Sequence, residues 1–240
     1  MIFIGHLDLM RYFQKAMRRS GVDISYTAGF SPHQIMSFAQ PLGVGIYSTG
    51  EYMDIQVDSE PDTEKIKNAL NSVMSEGIDI LSVNALDEKA ENSMASVAAA
   101  EYNVYFRQGH CPDFDIEKVL AAFMSQGSIN ILKETKKGSR ELDLKEHIFD
   151  IGYKPFGTDN SPGDGADDIC INAADFHAGF VHMLLDASSG GNIKPSLVMK
   201  ELYSFAGKDL ADFDIIVLRR DMYADKGSNG KHEWVFLGGI

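Results

Sequence analysis

Eight side chains near the start of the chain are of the types that do chemistry: His6, Asp8, Arg11, Lys15, Arg18, Arg19, Phe30 and His33. A row of guanidinium and ammonium groups suits phosphate oxygens, because each contact releases condensed counterions and gives a salt-dependent affinity. An exposed ring such as Phe30 would stack on a base. His6 and His33 are the candidates for general acid–base work, since an imidazole titrates near neutrality. His6, Asp8 and His33 are also metal-ligating types, but their spacing follows no metal-binding pattern, and no metal is expected. The predicted nucleic-acid surface is therefore Arg11, Lys15, Arg18, Arg19, Phe30 and His33.

The element that must position the cations is a helix over residues 7–20. On an ideal helix the five charges Asp8, Arg11, Lys15, Arg18 and Arg19 fall within roughly 100° of arc. Leu9, Met10, Phe13, Ala16 and Met17 fall on the other side, giving one core face and one basic stripe. Asp8 stands in the first turn, where the helix dipole favours an anion, and it can hold Arg11 one turn on. His6 sits at the helix start, where backbone N–H groups also favour anions. His33 follows Pro32 in the turn Gly29-Phe30-Ser31-Pro32-His33, so its direction is well defined.

The surroundings make this stripe unusual. The 240-residue chain carries a formal charge of −13. Its first 50 residues hold four basic side chains against Asp8 and Asp23, so the acidic excess lies wholly in the remainder. Bulk negative charge argues against indiscriminate nucleic-acid binding and leaves room for a localised polyanion site. No apolar run approaches the roughly 20 residues needed to cross a bilayer, and no secretory signal is read at the start, so a cytoplasmic, non-membrane location is expected. Cys111 and Cys170 form no C-x-x-C pair and are read as idle thiols. No cofactor is expected. The sequence contains no P-loop, no G-x-S-x-G, no H-E-x-x-H and no zinc-type cysteine spacing, so nothing points to a self-sufficient enzyme.

The order of elements reads as a pattern that occurs twice. Residues 2–4, 22–27, 51–58 and 78–83 read as strands. The 7–20 helix and one opening at Pro61-Asp62-Thr63 and closed by Gly77 alternate with them. Residues 87–100 read as a linker or loosely held helix. Strands follow at 101–107, 128–134, 179–187 and 213–220, with helices beginning at Asp115 and Pro195, and 140–144 pairs as a hairpin. The acidic, glycine-rich stretch 157–168 reads as a loop. Two successive βαββαβ units predict an α+β fold of two tandem ferredoxin-like domains, spanning 1–90 and 100–240.

The opening run FIGHLDLMRYFQKAMRRSGVDISYTAGFSPH, with the later Ser37-Phe38 and Gly50-Glu51-Tyr52, resembles the bacterial radical SAM-linked protein family, an uncharacterised domain family. The motif positions are His6, Asp8, Arg11, Arg18, Arg19, Gly29, Phe30, Pro32, His33, Ser37, Phe38, Gly50, Glu51 and Tyr52. The segments SRELDL (139–144) and GGNIKPSLVMKEL (190–202) also fit. The resemblance implies an association with a radical SAM enzyme. This chain lacks a C-x-x-x-C-x-x-C cluster motif, so it would act on that partner in trans. Relatives usually begin with a longer first strand, so either a short edge strand or a start further upstream is expected. Tandem ferredoxin-like domains with a histidine near the first helix also resemble CRISPR repeat-processing endoribonucleases, in architecture alone. Three functions follow as expectations. The leading one is an accessory RNA-binding or substrate-presenting partner of a radical SAM enzyme. The others are a metal-independent endoribonuclease using His6 or His33, and a module that docks the enzyme without touching nucleic acid.

Overall fold

The computed structural model describes residues 3–87, 89–135, 138–156 and 176–239. The fold is mixed α/β, with five α-helices among the described residues. In chain order the elements are α1 (His6–Ser20), β1 (Met36–Phe38), β2 (Ile46–Ser48), β3 (Met53–Ile55), α2 (Thr63–Asn71), α3 (Ser93–Ser96), β4 (Val97–Arg107), α4 (Ile116–Ser125), β5 (Asn130–Thr135), β6 (Gly138–Asp143), β7 (Ile148–Pro155), β8 (Phe176–Asp186), α5 (Pro195–Phe205), β9 (Ile215–Asp225) and β10 (Trp234–Phe236). Among the described residues no helix is long and apolar enough to cross a membrane.

The main sheet has the order β10-β9-β4-β8-β7, with β2 added alongside β9. Strand β4 runs antiparallel to both β8 and β9, and β7 runs antiparallel to β8. Strands β4 and β7 are therefore parallel, with α4 between them in sequence and β8 between them in space. Strands β8 and β9 are likewise parallel, linked through α5 and split by β4. The sequence VAAAEYNVYFR makes β4 a central strand because both its faces are wanted inside. Ala100, Tyr102, Val104 and Phe106 enter the main core, while Tyr105 joins Phe180, Ile216 and Leu218 in a second cluster. Helices α4 and α5 cover the main core with Leu120 and Phe123, and with Val198, Met199 and Leu202. Burying each such side chain is worth about 1.5–3 kcal/mol. The predicted caps are present: the Asp115 carboxylate accepts the Lys118 N–H at 3.1 Å, and Pro195 occupies the first turn of α5.

The first half departs from the predicted repeat. Residues 22–27 contribute only the isolated bridges Ile24↔Val57 and Tyr26↔Gln34. The predicted 51–58 strand shortens to β3, whose partner is β1. Helix α2 stops at Asn71 well before Gly77, because the Asn71 amide donates to the Ile80 carbonyl at 3.0 Å and accepts the Ile80 N–H at 2.8 Å. That side chain takes both backbone groups a ladder would have used, and residues 78–83 carry no strand. Among the described residues the first half therefore builds no four-stranded sheet of its own. It lends β2 to the main sheet, parallel to β9 with Tyr47 opposite Leu218. The 87–100 segment is also better held than predicted. Ser93 donates from its N–H and hydroxyl to the Asp54 carboxylate at 2.7 and 2.6 Å, and β4 begins at Val97. The predicted strand at 2–4 falls partly, and the 157–168 loop and Cys170 wholly, outside the described residues.

Candidate functional site

Helix α1 begins after Gly5 and ends on Gly21, whose φ of 71° supplies the left-handed stop that other residues resist. Phe13, Ala16 and Met17 are buried, and Met17 packs with Ile24 and Leu70. This packing fixes which way the opposite face looks. Arg11 meets Asp8 at 3.1 Å, with both side chains about two-thirds exposed at 69% and 67%. Such a surface pair contributes little and is easily exchanged for a ligand. Lys15 is exposed and has no partner among the described residues. Arg18 Nε donates to its own helix at the Gln14 carbonyl, 3.2 Å away. Arg19 Nη2 reaches the Val73 carbonyl at 3.1 Å and bridges to the turn after α2. Three of the four predicted cations thus have no carboxylate partner among the described residues, and all four are exposed.

The two histidines differ. The His6 ring stands edge-on to Phe38 with centroids 5.8 Å apart, and its Nδ1 is buried without a hydrogen bond. His33 is exposed, and its Nδ1 lies 3.0 Å from the Thr27 hydroxyl oxygen, which also accepts the His33 backbone N–H at 3.1 Å. Phe30 is fully exposed, at 112% of its reference area, in a turn where Gly29 adopts a φ of 115°. No cluster of three or more metal-ligating side chains occurs among the described residues.

The Gly50-Glu51-Tyr52 motif does something else. Glu51 holds Arg219 of β9 through two hydrogen bonds, at 2.7 Å from Nε and 2.6 Å from Nη2. Arg219 is only 2% exposed and also donates to the Gln40 side-chain oxygen at 2.7 Å. Tyr52 donates to Asp221 at 2.6 Å, and burial together with that hydrogen bond pushes the phenol pKa well up. A side chain at Gly50 would collide with the Arg220 carbonyl. The motif is a clamp between the first segment and β9. Sequence reading missed Arg219 and Gln40, although one signal existed: an arginine directly after the apolar run Ile215–Leu218.

A further polar group lies on β4, β7 and β8. His182 faces Asn103 at 3.3 Å, Glu101 at 3.6 Å and Asp150 at 3.5 Å. Burial lowers its pKa, and Lys154 and Arg220 add to that, against the opposing pull of Glu101 and Asp150.

The comparisons with known proteins give a family and no activity. No curated protein matches the chain. Residues 1–195 match the model of DUF2344, an uncharacterised protein family conserved in bacteria. The match takes in α1, the Gly29–His33 turn, the Gly50–Tyr52 clamp and the loop before α5, and the chain belongs to this family.

Proposed function

We propose that the chain is a non-catalytic accessory protein that binds single-stranded RNA on α1 and the Gly29–His33 turn, and presents it in the cytoplasm to a radical SAM enzyme acting in trans. The observation that carries the RNA reading is a wholly exposed Phe30 together with three exposed cations on α1, Lys15, Arg18 and Arg19, that have no carboxylate partner among the described residues, on a chain of net charge −13. Cations of this kind fix the backbone, and a solvent-facing ring on a rigid turn stacks a base. Residues 97–225, with the strand order β9-β4-β8-β7, are read as a ferredoxin-like scaffold that holds the first segment in place.

The test is fluorescence anisotropy with a labelled single-stranded RNA across a salt series, comparing the wild type with Arg11→Glu/Lys15→Glu. Each phosphate contact on a single strand contributes about 0.7 to the log–log salt slope, so losing two lowers it by about 1.4. Equal affinity and equal slope for the two proteins would refute the RNA reading. The enzyme association is tested separately, by whether a protein with an iron–sulfur cluster motif co-purifies with the tagged wild type.

A further inference from the structure

A second group of cations gathers on the β5–β6 hairpin and the loop before α5. The β5–β6 register places Lys133 directly opposite Arg140, on one face of the hairpin. Lys133 Nζ donates to the carbonyls of Gly191 and Asn192, at 2.6 and 3.1 Å, and so pins the hairpin to the loop before α5. Lys194 ends that loop. Burial lowers the Lys133 pKa, and the fields of Arg140 and Lys194 lower it further, against Asp186. The hairpin register sets Lys133 beside Arg140, and its bonds to Gly191 and Asn192 bring it to the stretch that ends at Lys194.

The loop that presents them is built from fixed contacts. The Asp186 carboxylate accepts the Ser188 N–H at 2.8 Å and meets His147 at 2.7 Å. The Ser188 hydroxyl oxygen accepts the Gly191 N–H at 3.2 Å, and Gln40 Nε2 donates to the Ala187 carbonyl at 3.0 Å. Gly191 passes so close to Asp186 that a Cβ would collide with the carboxylate. Asp186, which acts on Lys133, is thus already engaged by Ser188 and His147. Arg140 and Lys194 are exposed and have no hydrogen-bond or ion-pair partner among the described residues. Like charges held together without neutralisation repel one another, and the repulsion is relieved when an anion sits between them.

We propose that Lys133, Arg140 and Lys194 form a phosphate-binding site, whose ligand is either a small phosphorylated molecule or a phosphate of a nucleic acid. The site shares no residue with the α1 surface and does not depend on the RNA reading. Arg140 and Lys194 supply charge-assisted hydrogen bonds, and the remaining proton of the Lys133 ammonium supplies a third.

The test compares the wild type, Arg140→Ser/Lys194→Ser and the charge-preserving Arg140→Lys/Lys194→Arg by calorimetric titration with pyrophosphate, and then with a single-stranded RNA. Both altered side chains are exposed, so unchanged melting without ligand confirms the fold of each variant. The serine variant is expected to weaken binding about tenfold or more, and the charge-preserving variant to keep most of it. A difference seen with pyrophosphate assigns a small phosphorylated ligand, and a difference seen only with RNA assigns a nucleic-acid phosphate. Arg11→Glu/Lys15→Glu should titrate pyrophosphate as the wild type does, which separates this site from the α1 surface. Coincident titrations of wild type and serine variant with both ligands, or no binding of either ligand to the wild type, would overturn the proposal.

Discussion

Replacing Glu51 by alanine should loosen the whole first segment from the main sheet. In the wild type Arg219 is nearly inaccessible and gives two hydrogen bonds to the Glu51 carboxylate. After the substitution its remaining partners are Gln40, through the side-chain oxygen at 2.7 Å and the backbone carbonyl at 3.3 Å, and the Tyr102 hydroxyl. Breaking a buried ion pair from one side costs about 3–5 kcal/mol, because the other charge stays buried. The Glu51 side chain is 27% exposed, so water reaches the vacated position and the loss belongs at the lower end, about 3 kcal/mol. For a chain of this length about 1 kcal/mol moves the melting temperature by about 2–4 °C, which gives a fall of roughly 6–12 °C. Circular dichroism melting of Glu51→Ala, Arg219→Met and the double variant measures it. The double variant should recover much of the loss, since removing both charges leaves none stranded. A Glu51→Ala melt within 2 °C of the wild type would refute the account of the clamp. RNA anisotropy below the melting transition should be unchanged by Glu51→Ala, because this carboxylate serves packing.

Phe30→Ser should leave the melting temperature unmoved, since the ring touches solvent alone, and should weaken RNA binding by the ~1–3 kcal/mol of one stacking contact; equal anisotropy titrations would remove Phe30 from the surface. His182 sets a pH dependence of stability. Its folded pKa is depressed, so the unfolded chain binds the proton more readily; its contribution is full above the unfolded value of about 6.5 and is lost as pH falls toward the folded one. Glu101 and Asp150 oppose this shift, and Lys154 and Arg220 reinforce it. Melting between pH 8 and pH 5 should therefore fall more steeply for the wild type than for His182→Gln, and parallel curves would contradict the assignment.

What could be read from the sequence was what is local. The spacing of Phe13, Ala16 and Met17 gave the buried face of α1, and Asp115 and Pro195 marked helix starts, because capping and periodicity act within a few residues. The outward cations followed from the same spacing. Partnership between strands did not follow. Ile46–Ser48 looks like a loop segment until β9 is beside it, and the Ser48 hydroxyl bonds the Arg219 carbonyl across 171 positions. The 78–83 segment departs for a different reason: its apolar residues suit a strand, but the Asn71 side chain satisfies Ile80. Glu51 was legible only as part of a motif, and its role became visible with Arg219. The cations at 133, 140 and 194 carried no sequence signal, since a hairpin register and a loop contact bring them together.

Strand β9 has β4 along one flank, with β2 and β10 on the other. Glu51 must therefore wait for a partner made 168 residues later. While the chain is being synthesised, the first segment has no lock and β4 lacks one neighbour, so the final architecture is postponed until β9 exists. Closing so long a loop slows folding more than it weakens the finished molecule. A ribosome stalled between β8 and β9 would expose one unpaired flank of β4, an edge open to holding by a chaperone.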